Sequence, residues 1–309
     1  MVTIFTIPKP FRGHIGVIQT NAIRSWLALR PACEVILFGD EEGIAEIAFE
    51  LGIQHIPQVE CNEYGTPLVS SVFNIAQNIG SRHLICYANA DIIFMSDFLR
   101  AAQQVSQQTH QLLVVGQRRD LDLGEPVDFT SPGWEEWLRA RVAKHGKLHP
   151  AIGIDYFLFS PNIWGDIPPF AVGRPGWDNW MVYRARYLGL PVIDATKAIT
   201  AVHQNHDYSH LPMGEEDMRK GVEAKRNLEM LGGKRYSFNV KDATQVLTPD
   251  GLRSAMTVKH LLRRLERIPE LHPHLTPIVV TITACRTLAL ALLSVGSKAK
   301  SQLKALKHR

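Results

Sequence analysis

Two polar residues, Asn89 and Asp91, interrupt an apolar stretch at residues 87–94, which read YANADIIF. The apolar run before Asn89 predicts a buried strand, so both polar side chains lie where that strand ends or bends. Burial of an unpaired carboxylate is costly, and a hydrogen bond, an opposite charge or a metal ion is needed to offset it. Asp91 is therefore a candidate metal ligand, and a turn residue or a cap of the helix predicted from Asp97 is the equal alternative.

Two further polar groups occur in the second half of the chain. Asp178 follows a loop rich in Pro and Gly and lies in the first turn of a predicted helix, where an acid favours the helix dipole. Residues 201–210, AVHQNHDYSH, crowd three histidines and one aspartate together. Such clusters occur in metal sites and in polar surface loops, and this spacing matches no zinc motif. A structural role for Asp178 and a surface loop for the histidines both stay open.

Short apolar runs alternate with helical patterns in the first third of the chain, and this order predicts an α/β sandwich built on a mostly parallel sheet. Predicted strands cover residues 2–7, 35–38, 53–56, 84–87 and 154–159. Predicted helices cover residues 14–29, 41–51, 67–79, 134–145 and 215–231. A further helix is predicted at residue 177, with Trp177, Trp180 and Met181 on its core-facing side. Ligands of such sheets collect at the carboxyl ends of the strands, where Asn89 and Asp91 lie, and this favours a binding role for them.

The composition is that of a soluble globular protein, with 45% hydrophobic and 21% charged residues. The four cysteines stand far apart without a C-x-x-C pair, which favours reduced thiols in the cytoplasm over disulfides or structural zinc. No export signal is expected in the N-terminal sequence MVTIFTIPKPF. The motifs G-x-G-x-x-G, G-x-x-x-x-G-K-[ST] and G-x-S-x-G are missing, which argues against dinucleotide-dependent dehydrogenases, P-loop NTPases and the common serine hydrolases.

Basic residues are concentrated near the C-terminus. From Arg253 onward there are eleven Lys and Arg residues and two Asp and Glu residues, although the net charge of the whole chain is only +4. Residues 278–295 are largely apolar but contain Arg286, which makes them a poor membrane-spanning helix. We therefore expect residues 275–309 to rest on an anionic membrane surface, on the inner face of a membrane, rather than to bind nucleic acid. A helix packed on the body with a solvated tail is the alternative.

The order of these features along the chain resembles that of the GT-A fold glycosyltransferases, most of all family 2. An α/β half, an acid after the fourth strand, a Gly/Pro loop leading into a Trp-Asp pair and a later histidine carry the resemblance, over about residues 1–210. The resemblance implies an inverting enzyme that moves a sugar from a nucleotide-sugar donor to a hydroxyl of a glycan or lipid-linked acceptor. It also implies a divalent metal cofactor, Mn²⁺ or Mg²⁺, on the donor diphosphate.

The resemblance assigns the metal ligands and the catalytic base. Members of the family carry a D-x-D motif whose last acid binds the metal, and the Asn-Ala-Asp sequence at 89–91 stands in its place. Asp91 would thus be one ligand, and the loss of the first acid reduces the expected metal affinity. His203 would be the second ligand, with His206 as its rival. Asp178 would be the general base that takes the proton of the acceptor hydroxyl.

Further residues match the family by position. The nucleotide-binding residues expected on this basis are Thr6, Pro8, Asp40, Asn74 and Asn89. The residues expected around the acceptor loop are Gly153, Asp155 and Trp177. Arg174, in the Gly/Pro loop, is expected to assist the donor diphosphate, with a solvated loop arginine as the alternative. The residue before Asp178 departs from the family pattern, because Trp177 stands where a paired acid is usual. The same resemblance implies a GT-A-like Rossmann-type α/β/α sandwich at residues 1–250, with a nucleotide-binding half at 1–110, an acceptor half at 111–250, and a basic helical extension at 251–309.

Two alternatives from other classes remain. A sugar-nucleotide pyrophosphorylase also has an α/β nucleotide-binding half, with a phosphate loop rich in Gly after its first strand. Residues 8–14, PKPFRGH, offer only Gly13 with Lys9 and Arg12 at that place. A non-catalytic nucleotide-sugar-binding protein of the same fold is compatible with the missing acid of the D-x-D motif.

Overall fold

A computed structural model of the chain describes residues 2–206 and 215–277. The chain divides into two compact units, Met1–Ala255 and Met256–Arg309. The described strands are β1 (Val2–Thr6), β2 (Glu34–Phe38), β3 (Gln54–Ile56), β4 (Leu84–Ala88), β5 (Ile92–Ile93), β6 (Leu113–Val115), β7 (Arg119–Leu121), β8 (Lys147–Leu148), β9 (Tyr156–Phe159), β10 (Val192–Asp194), β11 (Val202–Gln204), β12 (Gln245–Thr248) and β13 (Gly251–Ser254). The described helices are α1 (Gly13–Ala28), α2 (Ile44–Leu51), α3 (Val69–Ile79), α4 (Ser96–Ser106), α5 (Trp134–His145), α6 (Trp177–Tyr187), α7 (Glu215–Lys220), α8 (Val222–Leu231) and α9 (Val258–Leu271).

Nine of the described strands form one large sheet, in the order β13-β12-β10-β6-β9-β4-β1-β2-β3. β1 pairs in parallel with β2 and β4, β2 with β3, and β10 with β6 and β12. β9 runs antiparallel between β4 and β6, and β13 runs antiparallel at one edge. Helices α1, α2 and α3 connect the parallel strands β1 to β4, because parallel neighbours need a crossover. The predicted α/β architecture with a mostly parallel sheet is confirmed.

Both faces of the large sheet are buried, as the side chains of β1 show. Ile4 belongs to the cluster on one face, where Trp26 of α1 packs. Its neighbour Phe5 faces the other way, since successive strand residues alternate, and meets the ring of Phe73 in α3 at a centroid distance of 5.1 Å. Phe73 in turn lies 6.0 Å from the ring of Trp177. This aromatic packing fixes the start of α6 against the sheet.

Four short strands form a second sheet, in the order β5-β11-β7-β8. β11 pairs antiparallel with β5 and parallel with β7. The register aligns His203 of β11 with Ile92 of β5 and with Asp120 of β7. Because Asp91 directly precedes β5, this sheet brings residues 91, 120 and 203 together although they are far apart in the sequence.

Some elements differ from the sequence-based expectation. The predicted helix at 215–231 is two helices, α7 and α8, because Gly221 between them has an extended conformation and caps α8. Strands β6, β7 and β10 have three residues each, too few for a recognisable alternation pattern. Helix α5 has the predicted bounds, and Trp180 and Met181 of α6 are buried as expected.

The first unit extends slightly beyond residue 250, because β13 pairs with β12 in the large sheet. In the second unit, α9 begins after Thr257, whose hydroxyl accepts a hydrogen bond from the backbone of His260. Val258 and Leu265 of α9 are exposed apolar residues. The apolar segment 278–295 and the basic tail after it lie outside the described residues. Within 2–206 and 215–277, no helix has the length and apolar character needed to cross a membrane.

Candidate active site

A cavity of about 980 Å³ lies at the carboxyl ends of β1, β2 and β4. Pro8, Asp40 and Asn89 follow these three strands and line its wall. β9 is antiparallel, so its amino end lies at the same edge of the sheet and adds Asp155 to the wall. The first turn of α6 adds Asp178. The edge at which parallel α/β sheets collect their ligands therefore carries a cavity with several acids.

Asp91, His203 and His206 form a cluster in this cavity, with one ligand atom of each within 4.8 Å of the others. His206 Nε2 lies 3.1 Å from Asp91 Oδ2, and His203 Nε2 lies 3.7 Å from the same oxygen. The side-chain amide of Gln204 donates to the backbone carbonyl of Asp91 at 3.1 Å and holds the segment before β5 against β11. The cluster is thus positioned by strand pairing rather than by a flexible loop alone.

The electrostatics of Asp91 favour an ionised carboxylate. Burial by itself raises the pKa of Asp91, but His203 and His206 lower it by more, so its pKa lies well below the usual value. In the described part of the chain, Asp91 Oδ1 is buried without a hydrogen-bond partner. An ionised carboxylate with an unsatisfied oxygen, beside two imidazoles, fits a divalent cation. The mixed ligand set suits Mn²⁺ better than Mg²⁺, which prefers oxygen ligands.

Asn89, which follows β4, makes two hydrogen bonds to Asp155, which precedes the paired strand β9. Its side-chain amide donates to Asp155 Oδ1 at 2.8 Å, and its backbone N–H donates to the carbonyl of Asp155 at 2.9 Å. Arg118 Nη1 donates to the same Oδ1 at 2.6 Å. An aspartate at position 89 would bring a second carboxylate against Asp155, and the two charges would repel. Asn89 itself carries no charge, but its two hydrogen bonds hold the carboxylate of Asp155 in this part of the wall.

Arg118 extends these contacts to a second acid, Asp120. Its Nε donates to Asp120 Oδ1 at 2.8 Å. Burial lowers the pKa of Arg118, but Asp155 and Asp120 raise it by more, and the guanidinium stays charged. Asp120 also lies 2.7 Å from His149 Nδ1 and 3.3 Å from His203 Nδ1. A continuous line of charged and hydrogen-bonded groups thus runs from Asp155 to His203.

Asp178 lies in the first turn of α6, whose N-cap residue is Gly176. The backbone N–H of Gly176 donates to Asp178 Oδ1 at 3.2 Å, and Gly176 has a φ of 110°, a conformation that favours glycine. The pKa of Asp178 is raised to about 6. Burial is the main cause and the charge of Asp155 adds to it, while hydrogen bonds from backbone amides lower the pKa and offset part of the rise. A carboxyl group with this pKa is ionised at neutral pH and can accept a proton.

The loop at residues 171–176, which leads into α6, is held by α8. Asn227 is fully buried, and its side chain accepts from the backbone N–H of Ala171 at 2.9 Å and donates to the Ala171 carbonyl at 3.0 Å. Arg174 Nη2 lies 2.7 Å from Glu223 Oε2 in a mostly buried ion pair. Arg174 is therefore a fixed part of the wall and not a solvated loop residue.

No protein-family model matches the chain, and no curated protein sequence matches it. Solved structures similar to it include S. aureus TarS 1-349, at 13% identity and a TM-score of 0.40 over 66% of this chain and 58% of that one. The mannosyltransferase PcManGT from Pyrobaculum calidifontis, in complex with GDP-Man and Mn²⁺, is 14% identical with a TM-score of 0.40, over 65% of this chain and 56% of that one. Glucosyl-3-phosphoglycerate synthase from Mycobacterium tuberculosis, in complex with Mg²⁺ and UDP, is 13% identical with a TM-score of 0.43, over 76% of this chain and 80% of that one. The chain spans less than two thirds of the TarS chains it matches.

The roles of individual residues rest on the geometry of the cavity itself. The predicted residues that line the cavity are Pro8, Asp40, Asn89, Asp91, Gly153, Asp155, Arg174, Trp177, Asp178 and His203. Two predicted nucleotide-binding residues are not brought to it. Thr6, the last residue of β1, is fully buried, and Asn74 lies on an exposed face of α3, so neither is among the described lining residues.

Three residues of the site were missed by the sequence patterns, namely Arg118, Asp120 and His149. The segment GQRRDLD at 116–122 follows the short apolar run that forms β6, and a polar run after a strand is the signal that could have found Arg118 and Asp120. His149 carries no such signal, because its contact with Asp120 depends on the pairing of β7 with β8.

Proposed function

We propose that the protein is an inverting, metal-dependent glycosyltransferase that moves a sugar from a nucleotide-sugar donor to an acceptor hydroxyl. One observation carries the proposal. A carboxyl group with a pKa of about 6, Asp178, lines the same cavity as the Asp91, His203 and His206 cluster. A base and a divalent-cation site in one cavity are the two groups that an attack on a sugar diphosphate requires.

The cluster would hold the metal cofactor through Asp91, His203 and His206. A divalent cation held there would supply positive charge to neutralise the diphosphate as the leaving group. The two imidazoles favour Mn²⁺ over Mg²⁺. Asp91 contributes the charge, and the buried Oδ1 of its carboxylate gains a partner on binding.

The donor would bind along the strand ends. Pro8 and Asp40, which line the wall after β1 and β2, would bind the nucleoside. Asn89 follows β4, the neighbour of β1 in the sheet, and directly precedes the metal cluster at Asp91. The carboxylate of Asp40 can accept hydrogen bonds from a base or a ribose hydroxyl.

The acceptor hydroxyl would lose its proton to Asp178. Gly176 holds the Asp178 carboxylate by a backbone hydrogen bond, and the packing of Trp177 fixes the turn that carries it. Arg174, Gly153 and Asp155 line the neighbouring wall and would contact the acceptor or the transferred sugar. The acceptor oxygen would attack the anomeric carbon from the face opposite the diphosphate while the bond from that carbon to the diphosphate oxygen breaks, and this single displacement inverts the configuration.

The acceptor is proposed to be a glycan or a lipid-linked molecule. The basic and partly apolar sequence of residues 275–309 supports a membrane surface as the place where the enzyme meets it. Lys and Arg residues near an anionic leaflet each contribute about 1 kcal/mol of binding free energy.

The proposal is tested by thermal shift with a panel of UDP- and GDP-sugars, with Mn²⁺ or with EDTA. At least one nucleotide sugar should raise the melting temperature in Mn²⁺ and lose this effect in EDTA, because a ligand stabilises only the state that binds it. That donor should then be hydrolysed slowly or transferred in a metal-dependent way. Metal-dependent binding without turnover would indicate the non-catalytic alternative, and stabilisation by none of the donors would refute the proposed function.

A further inference from the structure

The environment of His203 Nδ1 points to a role for Asp120. His203 and Asp120 are register partners in the parallel pairing of β11 with β7, so their side chains project from the same face of the small sheet. His203 is only 8% exposed, and its Nδ1 is buried without a well-aligned hydrogen bond among the described residues. Asp120 Oδ1 lies 3.3 Å from it. A buried ring nitrogen beside a carboxylate is expected to carry the proton of the imidazole.

Asp120 is itself held in place from two sides. Arg118 Nε donates to its Oδ1 at 2.8 Å, and His149 Nδ1 lies 2.7 Å from its Oδ2. Arg118 is anchored in turn by Asp155. The Asp120 carboxylate therefore has a fixed orientation toward His203, although Asp120 is not a member of the cluster of Asp91, His203 and His206.

We propose that Asp120 is a positioning residue of the metal site: it accepts the Nδ1–H of His203 and so keeps the Nε2 lone pair directed at the position beside Asp91. The inference rests on the metal site of the proposed function. A neutral imidazole has one N–H, and whichever nitrogen carries it cannot bind a metal. His203 Nε2 is the atom nearer to Asp91, at 3.7 Å from Oδ2. Carboxylates that orient a ligating histidine typically contribute about 10–100-fold to metal affinity.

A different role for Asp120 would be the neutralisation of Arg118. That role needs a negative charge but no particular direction toward His203. Asn at position 120 separates the two roles, because its carbonyl can still accept from Arg118 Nε and from His203 Nδ1, whereas its charge is lost. Ala at position 120 removes both the charge and the acceptor.

The experiment uses the full chain and three variants, Asp120→Ala, Asp120→Asn and the control Asp122→Ala. Asp122 is an exposed acid two positions further along, whose carboxylate accepts from Asn205 Nδ2 at 2.6 Å; its removal changes the local charge and this contact but leaves the Asp120 carboxylate in place. The histidine ring nitrogens are observed by ¹⁵N NMR in the metal-free protein, at a pH high enough that the ring spectra no longer change with pH. Mn²⁺ affinity is measured separately by EPR, and circular dichroism checks the fold.

In wild type, His203 should be protonated at Nδ1. Asp120→Ala should shift the ring toward the Nε2–H form and weaken Mn²⁺ binding about 10–100-fold. Asp120→Asn should keep the Nδ1–H form and most of the affinity, and Asp122→Ala should resemble wild type. If Asp120→Ala does not fold, Asp120→Asn and the wild-type tautomer decide the matter.

Three results would overturn the inference: an Nε2–H ring in wild type, unchanged Mn²⁺ affinity and tautomer in a folded Asp120→Ala, or equal losses in Asp120→Asn and Asp120→Ala. An equal loss in Asp122→Ala would be a fourth contrary result, since net charge or the contact with Asn205 would then explain the effect. Failure of the wild-type protein to bind Mn²⁺ would refute the metal site of the proposed function instead. The tautomer of His203 in the metal-free protein would still report on Asp120.

Discussion

The carboxyl group of Asp178 is in an environment that favours its protonated form. Burial and the nearby charge of Asp155 both raise its pKa, and the backbone amides of α6 offset only part of this effect, so the pKa is about 6. Folding at neutral pH therefore includes the unfavourable ionisation of Asp178. A rise in pKa from 3.8 to about 6 corresponds to on the order of 2–3 kcal/mol of stability. Asp178 is thus a residue at which the function we propose and stability oppose each other.

Replacement of Asp178 by Asn should separate these two effects. Asp178→Asn keeps the acceptor for the Gly176 N–H but cannot take a proton, so kcat should fall about 10²–10⁴-fold with little change in donor affinity. The melting temperature at neutral pH should rise, because the cost of ionisation is removed. Single-turnover rate, donor affinity and melting temperature are measured on one sample. Near-wild-type turnover would show that Asp178 is only a helix-start residue.

The single-turnover rate and the stability of the folded state should change with pH in opposite directions. As pH rises through about 6, Asp178 ionises, so the single-turnover rate should increase with an apparent pKa near that value. Over the same range the folded state holds the proton more tightly than the unfolded state, so the contribution of Asp178 to stability falls as pH rises. The difference in melting temperature between Asp178→Asn and wild type should therefore shrink from about pH 8 to pH 5. A difference that is constant with pH would contradict the raised pKa.

Loss of a ligand should remove or weaken metal binding. Asp91→Ala should abolish Mn²⁺-dependent donor binding while the fold is kept, since Asp91 supplies the charge of the cluster. His203→Ala should weaken Mn²⁺ binding more than His206→Ala, because His203 is fixed within β11 and His206 follows its end. His14→Ala is the matched control, a histidine whose ring contacts the backbone of Asn205 outside the cluster. Calorimetric titration of Mn²⁺ gives the order, and a reversed order would make His206 the stronger ligand.

At the scale of elements, α8 determines the position of the loop before α6. The buried amide of Asn227 satisfies both backbone groups of Ala171, so Asn227→Ala leaves them without this partner. A buried polar group without a partner costs about 1–3 kcal/mol, and we expect a destabilisation of that size together with a lower kcat as the loop and Asp178 shift. Asn78→Ala, an exposed asparagine at a helical position in α3, is the control and should stay within about 0.5 kcal/mol of wild type. Urea unfolding provides the measurement, and equal stability of both variants would contradict this role of Asn227.

The elements that could be predicted from the sequence are those specified by local periodicity. Helix α5 and strand β4 carry clear patterns, and the acids Asp91 and Asp178 were found because each lies next to such an element. The position of β9 between β4 and β6 could not be predicted, because the pairing of strands that are far apart in the sequence produces no pattern in the local sequence. Asp120 was missed for the same reason, as its role depends on the pairing of β7 with β11. Asn74 was expected to bind the nucleotide because of its position in the family pattern, and in the structure it lies on an exposed face of α3.

At the scale of the whole molecule, the membrane interaction of residues 275–309 stays a prediction. The full chain should float with liposomes that contain anionic lipid and stay behind with neutral ones, because the basic residues after 295 need an anionic surface. Binding should weaken as salt is raised, since screening shortens the range of the attraction. Truncation after residue 277 gives the matched control, which should remain unbound. A full-length protein that stays soluble with anionic vesicles at low salt would rule out this interaction.

The central place of β9 in the large sheet has a consequence for synthesis on the ribosome. Asn89, at the end of β4, and Asp155, at the start of β9, are 66 residues apart in the sequence. At a typical rate of translation, β4 emerges on the order of 10 s before β9. During that interval the edge of β4 that β9 will occupy is open, and an unpaired strand edge is a template for pairing with other chains. The newly made chain is therefore most prone to aggregate after β4 has emerged from the ribosome and before β9 has emerged, and chaperone binding in this interval should protect it.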